Sequence, residues 1–507
     1  MTFATNFGLQ PLADYKNVDQ GKDRIGIVDI GSNTIRMVVY DAPARLPVPI
    51  FNERAICALG KGIGRTGHLN PVGKNLAFQA LDRFCGLAKE MKVGQFRILA
   101  TAAVRDAEDG FDFSKEVEKR FGYDVKILSG EEEAHLGAKG ILGGRPNADG
   151  LFGDIGGGSL DLVSLNNGHF GKSATLPLGH LRITEESEGQ HNKARNFIDS
   201  NLNTVSWLSG MNGRDFYAVG GIWRVIARIY MEQNNYPLHL IDNLTLEIDS
   251  ALNLTEIISR LSKRSLLGMV RVTKRRADTL PFSALLLNRI LKLTQPKQLI
   301  FSGYGLREGQ FFDLLPDEVK NQDPLISACH GFAMRGGRFS LHGAEISNWI
   351  LPLFPKASKR ETRILEAAAL LSDIGWSEHP DYRALHSFIR IIRLPVAGIS
   401  HRDRVVIALI VFFRYNGKKG QYEVNEVRPL IENTDEQLAI VLGAALRLAH
   451  VVSAGVPGLL GKTSLTQNVK EITLDLRTNS SLFKSGVIEK CVEKLADVME
   501  LNFSIKV

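Results

Sequence analysis

One pattern occurs twice in this chain, and it constrains the fold more than any other feature. Residues 24–41 read RIGIVDIGSNTIRMVVYD, and residues 150–165 read GLFGDIGGGSLDLVSL. Each is a run rich in β-branched residues, a glycine turn and a second such run, which predicts strand, tight turn, strand. An aspartate closes the first strand in both, so that Asp29-Ile30-Gly31-Ser32-Asn33-Thr34 is echoed by Asp154-Ile155-Gly156-Gly157-Gly158-Ser159. The repeat distance, about 125 residues, is too long for a solenoid. It predicts two related α/β domains facing each other.

Strands and helices alternate around each copy. Asn70 and Pro71 supply a cap and a first helical residue, and Leu76, Leu81, Phe84 and Leu87 an apolar face, for a helix to about Met91. Phe96–Thr101 reads as a strand, Ala102 onward as a helix, and Tyr123–Leu128 as a strand. Ser129-Gly130-Glu131-Glu132 fits a capping box that opens the next helix. In the second copy Phe216–Gly221 and Gln298–Gly303 read as strands ending in glycine turns. Past Pro316 the period changes: residues 325–455 are helical in pattern throughout, as in ETRILEAAALLSDIGW. The tail reads as strand (Val469–Leu476), helix (Ser485–Glu500) and strand (Leu501–Val507). The expected division is 1–137 and 138–318 for the α/β pair, 319–455 for an all-helical domain and 456–507 for a small α+β appendage. Residues 1–22 read as a loose polar arm. A chain of 507 residues is long enough for three or four domains.

The two turns share a chemistry. Glycine lets backbone N–H groups approach an anion closely and form a nest for phosphate oxygens. Gly31, Gly156, Gly157 and Gly158 would supply that backbone, and Ser32, Asn33, Thr34 and Ser159 neutral side-chain donors. Asp29 and Asp154 would repel bare phosphate, so their presence calls for Mg2+ or another divalent cation. The net charge of +7 permits a polyanionic partner. The longest apolar run, Val405–Phe413, is too short to cross a bilayer, and no secretory signal is read. Cys57, Cys85, Cys329 and Cys491 are scattered without a CxxC, which suits a reducing cytoplasm.

DIGSNT, SGEEEA, DIGGGS, AVGG and GLREG, in this order, resemble the Ppx/GppA family of exopolyphosphatases and guanosine pentaphosphate phosphatases. That family has the actin-like (ASKHA, RNase H-like) fold. The resemblance implies hydrolysis of a terminal phosphoanhydride, from inorganic polyphosphate or from pppGpp, in a homodimer. It makes Glu133, the glutamate before alanine in SGEEEA, the general base, and leaves Glu132 the structural capping position. Asp29 and Asp154 would carry metal, and Asp161 stands where the family usually has glutamate, with a metal or water role open. Arg105, in TAAVRDA, matches a family arginine able to clamp phosphate. Gly220-Gly221 match the GGT turn, with Ile222 in place of threonine. In GLREG an internal Arg307–Glu308 ion pair and a ligand contact are both open.

Arg260, Lys263, Arg264, Arg271, Lys274, Arg275 and Arg276 form the densest basic cluster. It reads as a solvated helix face or as a track for a polyphosphate tail, for which Arg271, Lys274, Arg275 and Arg276 are the candidates. Aromatic interleaving is missing, which argues against a specific nucleic-acid partner. The helical region resembles a degenerate HD-type domain in which Ser372 replaces the histidine before Asp373. With His342, His379 and His386 nearby in sequence, it is expected to carry no metal chemistry and to serve as a substrate track or dimer scaffold. A rival from another class is a non-catalytic, nucleotide-binding regulator on the same fold.

Overall fold

The computed structural model describes residues 24–41, 44–45, 48–269, 272–336, 342–477, 481–483 and 485–506. The expected N-terminal arm and Arg271 lie outside them. The described chain divides into two compact units. The first runs to Glu133 without residues 44–45, and the second comprises those two residues and everything from Ala134.

Unit one is built on β1 (Ile25–Ile30), β2 (Thr34–Asp41), β3 (Val48–Ile56), β4 (Gln95–Ala100) and β5 (Val125–Ile127). Their order is β3-β2-β1-β4-β5, with β1–β3 antiparallel and β4 and β5 parallel to β1. The Pro71–Glu90 helix starts as predicted, with Asn70 Oδ1 accepting from Val72 N. Its buried face is Ala77, Leu81, Phe84 and Ala88, a 3.6-residue stripe. Leu76 falls off that stripe and is 41% exposed, which corrects its place on the predicted apolar face.

Unit two repeats the plan. Its sheet comprises β6 (Gly150–Ile155), β7 (Leu160–Asn166), β8 (His169–Leu176), β9 (Asp215–Val219), β10 (Leu244–Glu247) and β11 (Gln298–Phe301). The order β8-β7-β6-β9-β11 reproduces that of unit one strand for strand, with β10 added antiparallel at the edge. The duplicated sequence is thus a duplicated topology. Arg45 is anchored in this unit, where its buried guanidinium donates to the carbonyls of Gly143, Lys320 and Gln322.

From Asp317 to Ser453 the described residues form helices and no strand. The apolar run Val405–Phe412 lies wholly buried inside the His401–Arg414 helix. The Asn433–Ser453 helix is long and apolar enough to cross a membrane by length and composition, with mean hydropathy 1.3. Its apolar residues Leu442, Ala445, Leu446 and Ala449 pack instead in the helical core. The tail adds a small sheet of β12 (Ser464–Gln467), β13 (Glu471–Asp475) and β14 (Asn502–Lys506), with the Gly486–Met499 helix against it.

Candidate active site

The two DIG segments fold into the same hairpin turn. Gly31 N donates to Thr34 O at 3.0 Å and Gly156 N to Ser159 O at 2.9 Å, so each hairpin closes over two residues, 32–33 and 157–158. In each, neighbouring backbone takes up the loop carbonyls. Ser32 O accepts from Gly60 N at 2.7 Å, and Asn33 O from Cys57 N and Ala58 N. Gly156 O accepts from His180 N, and Gly157 O from Leu181 N and Arg182 N, at the start of the His180–Glu186 helix. That approach requires glycine at 179, where a Cβ would stand 2.3 Å from Gly157 O. The N–H groups of Ser32, Asn33, Gly157 and Gly158 find no acceptor among the described residues of their own unit. Loops whose carbonyls are consumed and whose amides are not are suited to anions. Asn33 Oδ1 is also buried without a hydrogen-bond partner.

In unit one the Ala102–Asp106 helix begins directly after β4 and carries Arg105. Arg105 Nη1 donates to Glu133 Oε2 at 2.8 Å and to Leu128 O at 3.0 Å, and its Nε lies 3.4 Å from Asp106 Oδ1. Both partners of the pair are mostly buried, with side chains 21% and 15% exposed. Two sequence candidates, a phosphate clamp and a general base, are therefore in direct contact. Glu132 points elsewhere. Its Oε2 accepts from Ser129 N at 2.9 Å, its own N–H donates to Ser129 Oγ, and Lys126 Nζ lies 2.8 Å from its Oε1. Lys126, and then the Ser129 amide, hold its carboxyl below the usual glutamate range. This is the capping box expected from the sequence. Asp29 lies half-buried on β1, opposite Arg36 of β2.

In unit two Asp154 and Asp161 are cross-strand partners of β6 and β7, so their side chains share one face. Asp161 is buried, and its Oδ1 accepts from Thr175 Oγ1 at 2.7 Å. Carboxylates placed directly opposite each other in a ladder repel, and a cation relieves that repulsion. An all-oxygen donor set of this kind suits Mg2+.

The model of the Ppx/GppA phosphatase family matches residues 38–318, more than half of the chain. The chain belongs to that family. A second model, exopolyphosphatase C-terminal, matches residues 325–501. Among curated relatives, retrograde regulation protein 2 of Saccharomyces cerevisiae is 27% identical over 77% of this chain and 72% of its own length. Exopolyphosphatase 1 of Mycobacterium tuberculosis is 26% identical over 58% of this chain and 89% of its own. The solved exopolyphosphatase of Cytophaga hutchinsonii superposes with a TM-score of 0.53 at 22% identity, over 58% of this chain and 99% of that one. The Ppx/GppA family member of Aquifex aeolicus gives 0.50 at 23%, over 57% and 96%. These likenesses establish the fold, that of the Ppx/GppA proteins.

Within this Ppx/GppA chain the remaining candidates divide. Ile222 is buried in the unit-two core, where a methyl-rich side chain is at home. In GLREG, Glu308 Oε2 accepts from Gly305 N at 2.9 Å and caps the Leu306–Asp313 helix. Gly309 is there for packing, because a Cβ would meet Leu136 O at 1.8 Å. Lys274 and Arg275 are exposed and Arg276 half-buried on the short Lys274–Ala277 helix. Lys263 instead pairs with Asp278 and Arg260 with Glu256. Arg275 and Arg276 act electrostatically on His180, whose backbone N–H donates to the second hairpin. Burial, then these two arginines, push the His180 imidazole down to about 4.

Two half-buried residues escaped sequence reading. Arg224, just after the Gly220-Gly221 turn, donates to Ser302 O (3.2 Å) and Gly303 O (2.9 Å). Burial lowers its pKa, while Glu308, Asp154 and Asp242 favour its charge. Asp242 accepts from Gly303 N at 3.0 Å, and burial raises its pKa. Together they hold the 302–305 loop beside Asp154, whose Oδ2 would lie 3.7 Å from a Cβ at Gly305.

Proposed function

We propose that this chain is a divalent-cation-dependent exopolyphosphatase, releasing orthophosphate from the end of inorganic polyphosphate. The observation that carries the reading is the Arg105–Glu133 contact at 2.8 Å. A guanidinium keeps the carboxylate ionised and fixes its direction, which a general base needs. Glu133 accepts a proton from water as the water oxygen attacks the terminal phosphorus, and the bond to the bridging oxygen breaks in line. Arg105 is the candidate clamp for a terminal phosphoryl oxygen, and the amides of residues 32–33 in unit one, like those of 157–158 in unit two, are each suited to phosphate oxygens. Mg2+, for which Asp154 and Asp161 of unit two and, separately, Asp29 of unit one are the candidate ligands, would neutralise phosphate charge. Lys274, Arg275 and Arg276 would hold the polyphosphate tail. We place the enzyme in the cytoplasm, as its four buried, unbridged cysteines support, and as a homodimer.

A second reading follows from the yeast relative, whose name is that of a regulator. Phosphate release from long polyphosphate, tripolyphosphate, pppGpp and ATP, measured side by side on wild type and Glu133→Gln, tests both. Turnover of polyphosphate that depends on Glu133 supports the enzyme. A preference for pppGpp would reassign the substrate, and no Glu133-dependent turnover on any of the four would leave the regulator.

A further inference from the structure

The helical part of unit two holds a polar cluster that the proposed active site does not use. His342 precedes the Gly343–Ile350 helix, Asp373 follows the Lys359–Leu371 helix, and His450 lies on the Asn433–Ser453 helix. Each brings one ligating atom within 4.8 Å of the other two. Asp373 and His450 are buried.

Hydrogen bonding decides which nitrogen of His450 faces the cluster. Ser372 Oγ donates its only proton to Ala369 O at 2.6 Å, so toward His450 Nε2, at 2.8 Å, it is an acceptor. With Nε2 toward Ser372, His450 turns Nδ1 toward Asp373 Oδ1, 3.7 Å away. His342 approaches His450 edge to face, with centroids 5.5 Å apart and planes at 79°. Its Nε2 is buried and has no hydrogen-bond partner among the described residues. Arg414 Nη2 donates to Asp373 Oδ1 at 2.6 Å.

We propose that His342, Asp373 and His450 bind a zinc ion through His342 Nε2, His450 Nδ1 and a carboxylate oxygen of Asp373. Two imidazoles and one carboxylate suit zinc and its first-row neighbours, and not Mg2+. The sequence expectation of no metal here rested on Ser372 standing where a histidine ligand would be. In the structure a histidine from a distant helix supplies the nitrogen, and Ser372 braces it from outside, as the outer nitrogen of a metal-bound histidine requires. The Arg414 charge lowers affinity without closing the site. The ion would tie three helical segments together, so its binding would stabilise the fold.

The test uses the full chain, purified without chelator, assayed for metal, then stripped and titrated with Zn2+ and Co2+. The expected results are about one zinc per chain, a higher unfolding temperature on adding Zn2+, and a visible Co2+ absorption band of nitrogen-ligand type. His342→Gln should weaken the Co2+ band's affinity by about tenfold or more while far-UV circular dichroism stays unchanged. Asp154→Asn should leave the band alone, which separates this site from the proposed active site. A stripped wild type that shows neither the band nor the thermal shift in about tenfold excess of metal overturns the proposal without recourse to any variant. A band of equal affinity in His342→Gln overturns it too.

Discussion

Glu133→Gln removes one negative charge and keeps the shape of the side chain. Its carboxylate accepts a charge-assisted hydrogen bond from Arg105 at 2.8 Å, in a pair whose members are 15% and 21% exposed. The amide oxygen can still accept from Arg105, so the loss in stability is the ionic part of the bond, about 1 kcal/mol. Catalysis should lose far more. General-base assistance is worth about 100- to 10,000-fold, or ~3–5 kcal/mol of barrier. Phosphate release from tripolyphosphate under saturating substrate should therefore fall by ~100-fold or more, with KM little changed, while the unfolding temperature drops by only about 2 °C. Glu132→Gln is the matched control. Its carboxylate serves Ser129 and Lys126 in a mostly solvent-screened cap, so it should cost a few tenths of a kcal/mol and leave turnover within about twofold. Wild-type turnover in Glu133→Gln, or equal losses in the two variants, would refute the assignment of the base.

Asp154→Asn removes one of the two charges that a cation would bridge across β6 and β7, and should raise the Mg2+ concentration for half-maximal activity as well as slow turnover; an unchanged Mg2+ titration would remove Asp154 from the metal site. Lys274→Ala with Arg275→Ala should weaken binding of long polyphosphate and flatten its salt dependence, with tripolyphosphate spared; equal losses on both substrates would point to a solvated helix face. The His180 imidazole titrates at about 4 when folded and near 6.5 when unfolded, so the unfolded state binds more protons between those values. Its neutral form therefore contributes fully above pH 6.5, and about 3 kcal/mol is lost as pH falls toward 4; denaturant unfolding of His180→Gln should show a shallower acid limb than wild type, and an identical limb would refute the burial argument. Gly309→Ala drives a Cβ to 1.8 Å from Leu136 O, and should lower stability by about 3 kcal/mol or more, as thermal unfolding would report.

What could be read from the sequence was whatever a single strand or turn had to declare by itself. β1 and β6 are buried on nearly every residue and are followed by glycine, so both copies of the repeat stood out, although the sheet order they share did not. β8 and β3 did not stand out, because an edge strand such as HFGKSATL is exposed along most of its length and shows no apolar alternation. The site divides along the same line. Asp29, Glu133 and Asp154 sit in local motifs with distinctive composition, and local motifs survive in one dimension. Arg224 and Asp242 act through loop carbonyls and amides more than fifty residues away in sequence. Nothing about an arginine on an amphipathic helix or an aspartate in a turn announces such a partner. The helical cluster divides likewise: the neighbour of Ser372 in sequence is Asp373, whereas its neighbour in space is His450, 78 residues on. A residue's chemistry is set by what the fold places beside it.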